Sequence, residues 1–136
     1  VTLRIDIITL FPDIFFGPFS VSIVDRAVRA GLVEIHAVDL RDFTHDRHKT
    51  VDDTPYGGGP GMLMKPEPLF EAVRSLKTER SQVILTGPRG KRFDQKAAAS
   101  LAESAEHLIF ICGHYEGVDE RVRMALADEE YSIGDH

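Results

Sequence analysis

His107-Leu108-Ile109-Phe110-Ile111-Cys112 is a short, nearly continuous apolar run that stops at Gly113. A run of this length without polar alternation suits a strand covered on both faces, as the strands of a parallel sheet are. Working outward, Gln82 to Thr86 reads as a second strand, and Gly87-Pro88-Arg89-Gly90 reads as the turn that ends it. Asp94 is placed to cap a helix through the alanines to about Glu103. Arg4 to Leu10 is mostly β-branched or aliphatic and is broken by Phe11-Pro12-Asp13, which predicts a first strand, expected at the centre of the sheet. Val33 to Asp39 alternates Val33, Ile35 and Ala37 with Glu34 and His36, the pattern of a half-buried strand.

The helices follow from the other periodicity. Ile23, Val24, Ala27 and Val28 share one face of a helix over Val21 to Ala30, with Gly31 as its stop. Leu69, Phe70, Val73 and Leu76 form a stripe over Pro66 to Lys77, where Pro66 is acceptable in the first turn. Beyond Gly113 a helix is expected from near Val118 to about Leu126, then a short strand around Tyr131 to Ile133 leading into Gly134. Strands alternating with helices predict an α/β architecture on a parallel sheet. No repeat, low-complexity tract or linker divides the 136 residues, so one domain is expected.

Composition narrows the function classes. The net charge of -6 argues against holding nucleic acid by overall charge, so any such contact must be local. Arg41 to Lys49, with Arg41, Arg47, His48 and Lys49, and Arg89 to Arg92 are the two stretches that qualify, and either also reads as a solvated loop. No apolar run is long enough to span a membrane and no secretory segment is evident, which points to a cytoplasmic protein. Cys112 stands alone, so it reads as a buried thiol at a strand end, and no zinc-type cysteine pairing is present.

Three expected strands end in glycine, at Gly87, Gly113 and Gly134. Ligands of open parallel sheets gather at the carboxyl ends of strands, where glycine lets backbone groups approach closely, so one pocket is expected there. Gly57-Gly58-Gly59-Pro60-Gly61 lacks the Gly-Lys-Ser/Thr ending of a phosphate loop, and no G-x-G-x-x-G opens a helix, which excludes the simple nucleotide folds. Asp52 and Asp53 could bind a cation, but two adjacent aspartates in a loop are more often solvated or capping groups. The histidines lack ligand spacing and read as polar contacts. Tyr115-Glu116 puts an aromatic face and a carboxylate at the pocket rim, able to stack on a base and to accept from a guanine edge or help hold a metal; a packed tyrosine and a helix-start glutamate read equally well.

Taken together, Arg41-Asp42-Phe43-Thr44-His45-Asp46-Arg47-His48, Val51-Asp52-Asp53, Pro55-Tyr56-Gly57-Gly58-Gly59-Pro60-Gly61-Met62 and Cys112-Gly113 with Tyr115-Glu116-Gly117-Val118-Asp119-Glu120-Arg121 strongly resemble the bacterial tRNA (guanine-N1)-methyltransferase family. Ile7 to Pro12 and Tyr131 to Asp135 fit as well, so the resemblance covers nearly the whole chain. It implies a SPOUT-type α/β-knot, a parallel sheet with a deep trefoil knot, working as a homodimer. It also implies methyl transfer from S-adenosylmethionine to N1 of the guanine just 3′ of the anticodon of tRNA. The anticodon stem-loop is the implied partner, with neither DNA nor membrane.

By the same resemblance, Leu85, Thr86, Gly87 and Pro88 match a first cofactor loop, and Gly113, Tyr115, Ile133, Gly134, Asp135 and His136 match further cofactor-binding positions. Arg47, His48, Asp52, Tyr56, Gly58 and Gly59 lie in the segment that would face RNA and the partner subunit. Glu116 is the implied catalytic contact, to guanine or to magnesium, on which the family's activity depends. The family continues beyond the position of His136 with a strand, a glycine-rich third cofactor loop and a helix, then a linker and a helical tRNA-binding domain. The expectation is a cofactor-binding domain over 1–136 that lacks its C-terminal end, with an incomplete knot and without the helical domain. The family's general base, an aspartate, and its arginine partner find no counterpart here; Asp119 and Asp135 do not substitute. The activity implied is that of the longer protein, and activity of this piece alone is left open. An RNA- or nucleotide-binding module without chemistry and a structural dimerisation fragment are the alternatives.

Overall fold

The computed structural model describes residues 3–10, 30–46, 52–53, 63–92, 95–112 and 120–132. In chain order the elements are β1 (Leu3–Thr9), β2 (Val33–Asp39), a 3-10 helix (Leu40–Phe43), β3 (Asp52–Asp53), β4 (Leu63–Met64), α1 (Pro66–Leu76), β5 (Ser81–Arg92), α2 (Gln95–Ser104), β6 (His107–Cys112), α3 (Glu120–Leu126) and β7 (Glu129–Ser132). Five strands form one sheet in the order β2-β1-β6-β5-β7, and each neighbouring pair is parallel. All the carboxyl ends therefore share one edge. The α/β parallel-sheet expectation is met.

Side-chain parity sorts the core into two layers. Ile109 and Ile111 of β6, Val83 and Leu85 of β5 and Ile8 of β1 pack with Leu69, Ala72 and Val73 of α1, Val122 of α3 and Leu40. Leu108 of β6 and Ile84 of β5 pack with Leu101 of α2, Ala105 and Tyr131 on the opposite face. The apolar run at 107–112 is thus buried on both sides because helices cover both, as its composition demands. α1 starts at Pro66, where a missing N–H costs nothing, and its amphipathic stripe buries Leu69 and Val73 as the periodicity requires. Gly31 adopts φ +75°, a left-handed conformation suited to the stop predicted there.

At the amino edge a buried polar relay ties three strands. His107 Nε2 lies 2.6 Å from Asp6 Oδ2, and His107 Nδ1 lies 2.6 Å from Ser81 Oγ. The Arg4 guanidinium donates to Asp6 at 3.0 Å. Ser81 and His107 open β5 and β6, while Arg4 and Asp6 belong to β1, so the histidine acts as the polar contact expected of it.

Three expectations need correction. β1 is an interior strand between β2 and β6, and β6 holds the middle, because β5 and β7 both stack beyond it. Gly87 to Gly90 does not end its strand. β5 runs on to Arg92, with Thr86 and Lys91 both registered against Tyr131, so the four residues between them form an excursion whose two ends pair with the same neighbour. Local Gly-Pro chemistry signalled a turn, while non-local pairing with β7 carries the strand through it. The stretch after Leu40 is also less irregular than expected: it carries the 3-10 helix, capped by Asp39 accepting from the Arg41 amide at 2.9 Å, and the antiparallel β3–β4 pair. The helix predicted over 21–30 falls outside the described residues except at Ala30. The Asp94 cap, the segments 113–119 and 133–136, and with them the expected knot, lie outside the described residues.

Candidate functional site

The carboxyl edge gathers what the sequence pointed to. Thr86 of β5 registers with Cys112 of β6 on one side and with Tyr131 of β7 on the other, so the three strands expected to end in glycine are immediate neighbours. Leu85 and Thr86 are buried at this end, and the Thr86 hydroxyl donates to the Ile111 carbonyl at 3.2 Å. Cys112 is buried beside it, and burial pushes its thiol up to about 11 against a hydrogen bond with Thr86 that pulls the other way. A protonated thiol is a packing group, not a nucleophile.

Gly87 and Gly90 bound the excursion of β5 against β7. A Cβ at Gly87 would stand 2.8 Å from Glu130 Oε2, and one at Gly90 would run into the Glu130 carbonyl. Main chain stands in the way at Gly90, whereas at Gly87 the neighbour is the end of the Glu130 side chain, which can shift; at both points β5 passes close against Glu130. β7 is locked to β5 from its first residues: the Val83 amide donates to Asp128 Oδ2 at 2.8 Å, and the Asp128 amide donates to the Val83 carbonyl at 2.8 Å.

The segment that follows β2 leaves the sheet at this same edge. Arg41 Nη1 donates to the Leu10 carbonyl at 2.7 Å, just past the carboxyl end of β1. His45 meets Glu71 of α1 at 2.7 Å, which tethers the segment to the helix layer. Arg41 is therefore engaged in holding the fold, and it contributes less free positive charge than its place in a basic stretch suggested.

A family model for tRNA (Guanine-1)-methyltransferase TrmD matches residues 3–136. The chain belongs to this family. Among curated relatives, the tRNA (guanine-N(1)-)-methyltransferase of Dictyoglomus turgidum is 61% identical over 134 residues, covering 98% of this chain and 54% of the relative. The proteins of the same name from Carboxydothermus hydrogenoformans and Brevibacillus brevis are 52% and 55% identical, again over 98% of this chain and 53% and 55% of theirs. The chain spans about half the length of the curated relatives it matches.

Within this family member, the first expected cofactor segment is the best defined: Leu85, Thr86, Gly87 and Pro88 all lie in β5, at the entry to the excursion. Asp52 lies in β3, opposite Met64. Gly113, Tyr115, Glu116, Ile133, Gly134, Asp135 and His136 lie outside the described residues, as do Arg47, His48, Tyr56, Gly58 and Gly59. Among the described residues no group of three or more metal-ligating side chains exists, and Glu116 is not among those described. Also among them, no helix is long and apolar enough to cross a membrane.

Sequence reasoning missed Glu130 and Arg123. Arg123 Nη1 donates to Glu130 Oε1 at 2.8 Å, and its guanidinium also pairs with Glu120 one turn earlier. The carboxylates, Glu120 first, raise the pKa of Arg123. No local motif marks such a pair; only the β5–β7 register brings it against Gly87. Two open clefts of about 480 and 390 Å³ lie at the opposite, amino edge, lined in part by Leu3, Arg80 and Glu106 and by Arg4, Thr78 and His107. They are remote from the converging strand ends.

Proposed function

We propose that the protein takes part in methylating tRNA, transferring the methyl group of S-adenosylmethionine to N1 of the guanine just 3′ of the anticodon, as a cytoplasmic homodimer. The observation that carries this reading is the convergence of β6, β5 and β7 at one edge, with Leu85 to Pro88 among them, in a chain that matches the family over residues 3–136. The names of the relatives support guanine-N1 methylation of tRNA.

The described residues fit such a cofactor. The Gly87–Gly90 excursion takes main chain out of the β5–β7 ladder, where its amides and carbonyls would offer the backbone polar groups an adenosine needs. Bound there, the cofactor supplies a methyl group activated by its sulfonium. The chain's own work is to bind and to orient. Gly113, Tyr115 and Ile133 to His136 are assigned to the cofactor site by the family resemblance, which also gives Tyr115 and Glu116 to the target guanine or, for Glu116, to magnesium. Guanine N1 carries a proton at neutral pH, so reaction requires its removal as well as alignment. Arg47, His48, Asp52, Tyr56, Gly58 and Gly59 would offer the local RNA contacts an acidic protein needs, on a base splayed out of its stack.

Calorimetric titration of S-adenosylmethionine, or its demethylated product, into this chain and into a version extended beyond His136 tests the reading. Binding to either version is expected. Binding to the extended version alone assigns part of the site to residues beyond 136, and binding to neither refutes the cofactor assignment.

A further inference from the structure

Over residues 87–90, β5 leaves its ladder with β7 and returns to pair with the same residue, Tyr131. An excursion of this kind is held by what packs against it. Here that is residue 130 of β7 from two directions: its carboxylate faces Gly87 and its carbonyl faces Gly90. The carboxylate is itself held. Its Oε1 accepts from Arg123 Nη1 at 2.8 Å, its side chain is only 15% exposed, and Arg123 is braced by Glu120 on the same helix. A line of contacts therefore runs from α3 through Glu130 to the first glycine of the excursion.

We propose that Arg123 and Glu130 are positioning residues that fix the Gly87–Gly90 excursion and so set the affinity of the Leu85–Pro88 segment for S-adenosylmethionine. The proposal rests on the reading that this segment holds the cofactor. Glu130 acts through Gly87 and stands apart from the reacting methyl, so its loss weakens binding more than turnover. The geometry favours a carboxylate over an amide at 130, because the charge-assisted bond to Arg123 keeps Oε2 turned toward Gly87.

The test compares Glu130→Gln and Arg123→Met with Glu106→Gln, which breaks the exposed Arg80–Glu106 pair at the opposite edge. Hydrogen exchange of the amides of Gly87, Arg89 and Gly90, read without cofactor, is expected to speed up about tenfold in the first two variants and to stay unchanged in the third. In both chain lengths that bind, the dissociation constant and KM for S-adenosylmethionine should rise about five- to tenfold with kcat within about twofold, well below the melting temperature of each variant. Unchanged exchange, or unchanged affinity in Glu130→Gln while the parent binds, overturns the proposal. A parent that binds at neither length overturns the cofactor reading instead, and is distinguished because exchange at 87–90 still responds to Glu130→Gln.

Discussion

At the scale of the residue, Cys112 and His107 show how burial decides what a reactive group does. The Cys112 thiol, held at about 11 instead of 9.0, binds its proton more tightly in the folded chain than in the unfolded one. Its stabilising effect is whole below the unfolded value and is lost as the pH climbs through the folded one. Urea unfolding at about pH 8 and about pH 10.5 should show a loss on the order of 2 kcal/mol that Cys112→Ala lacks. Below the window the thiol should resist alkylation until the chain unfolds. His107 is held between Asp6 and Ser81, so His107→Ala strips Asp6 of one of its two partners in a buried place. A destabilisation of about 2–4 kcal/mol is expected from denaturant melts, against about 1–2 kcal/mol for Ser81→Ala, whose hydroxyl meets His107 and both the amide and the hydroxyl of Thr78.

At the scale of the element, β5 and β7 govern the candidate site. Gly90→Ala puts a methyl into the Glu130 carbonyl, a main-chain obstacle that cannot swing aside. Strain of about 1–3 kcal/mol is expected in melting experiments, together with loss of exchange protection at Glu130 and Tyr131. Sequence patterns captured these elements unevenly, for physical reasons. The alternation of Val33, Ile35 and Ala37 fixed β2 to the residue because an edge strand with one face toward the core carries its own register. The apolar run of β6 and the stripe of α1 were equally legible. The passage of β5 through Gly87–Gly90 was not, since it depends on Tyr131, some forty positions away, and no local propensity encodes that pairing. The two-residue β3–β4 pair escaped for the same reason. Leu85 to Pro88 was assigned to a cofactor loop by the family resemblance alone, whereas Glu130 and Arg123 look like ordinary surface charges until the sheet is assembled.

At the scale of the whole molecule, a parallel sheet with helices on both faces sends every strand toward one edge, where β5, β6 and β7 converge and the segment after β2 departs. The opposite edge carries the Arg4–Asp6–His107–Ser81 relay. This division sets the buried polar relay at the amino edge and the converging strand ends of the candidate site at the carboxyl edge; under the proposed function an acidic chain would meet RNA there through a few local contacts. The most direct test is transfer of labelled methyl from S-adenosylmethionine to tRNA transcripts by the version extended beyond His136. Label on N1 of the guanine 3′ of the anticodon, abolished when that guanine is replaced by adenine, is the predicted result. No label in the guanine transcript, or label that persists after its replacement, would contradict the account.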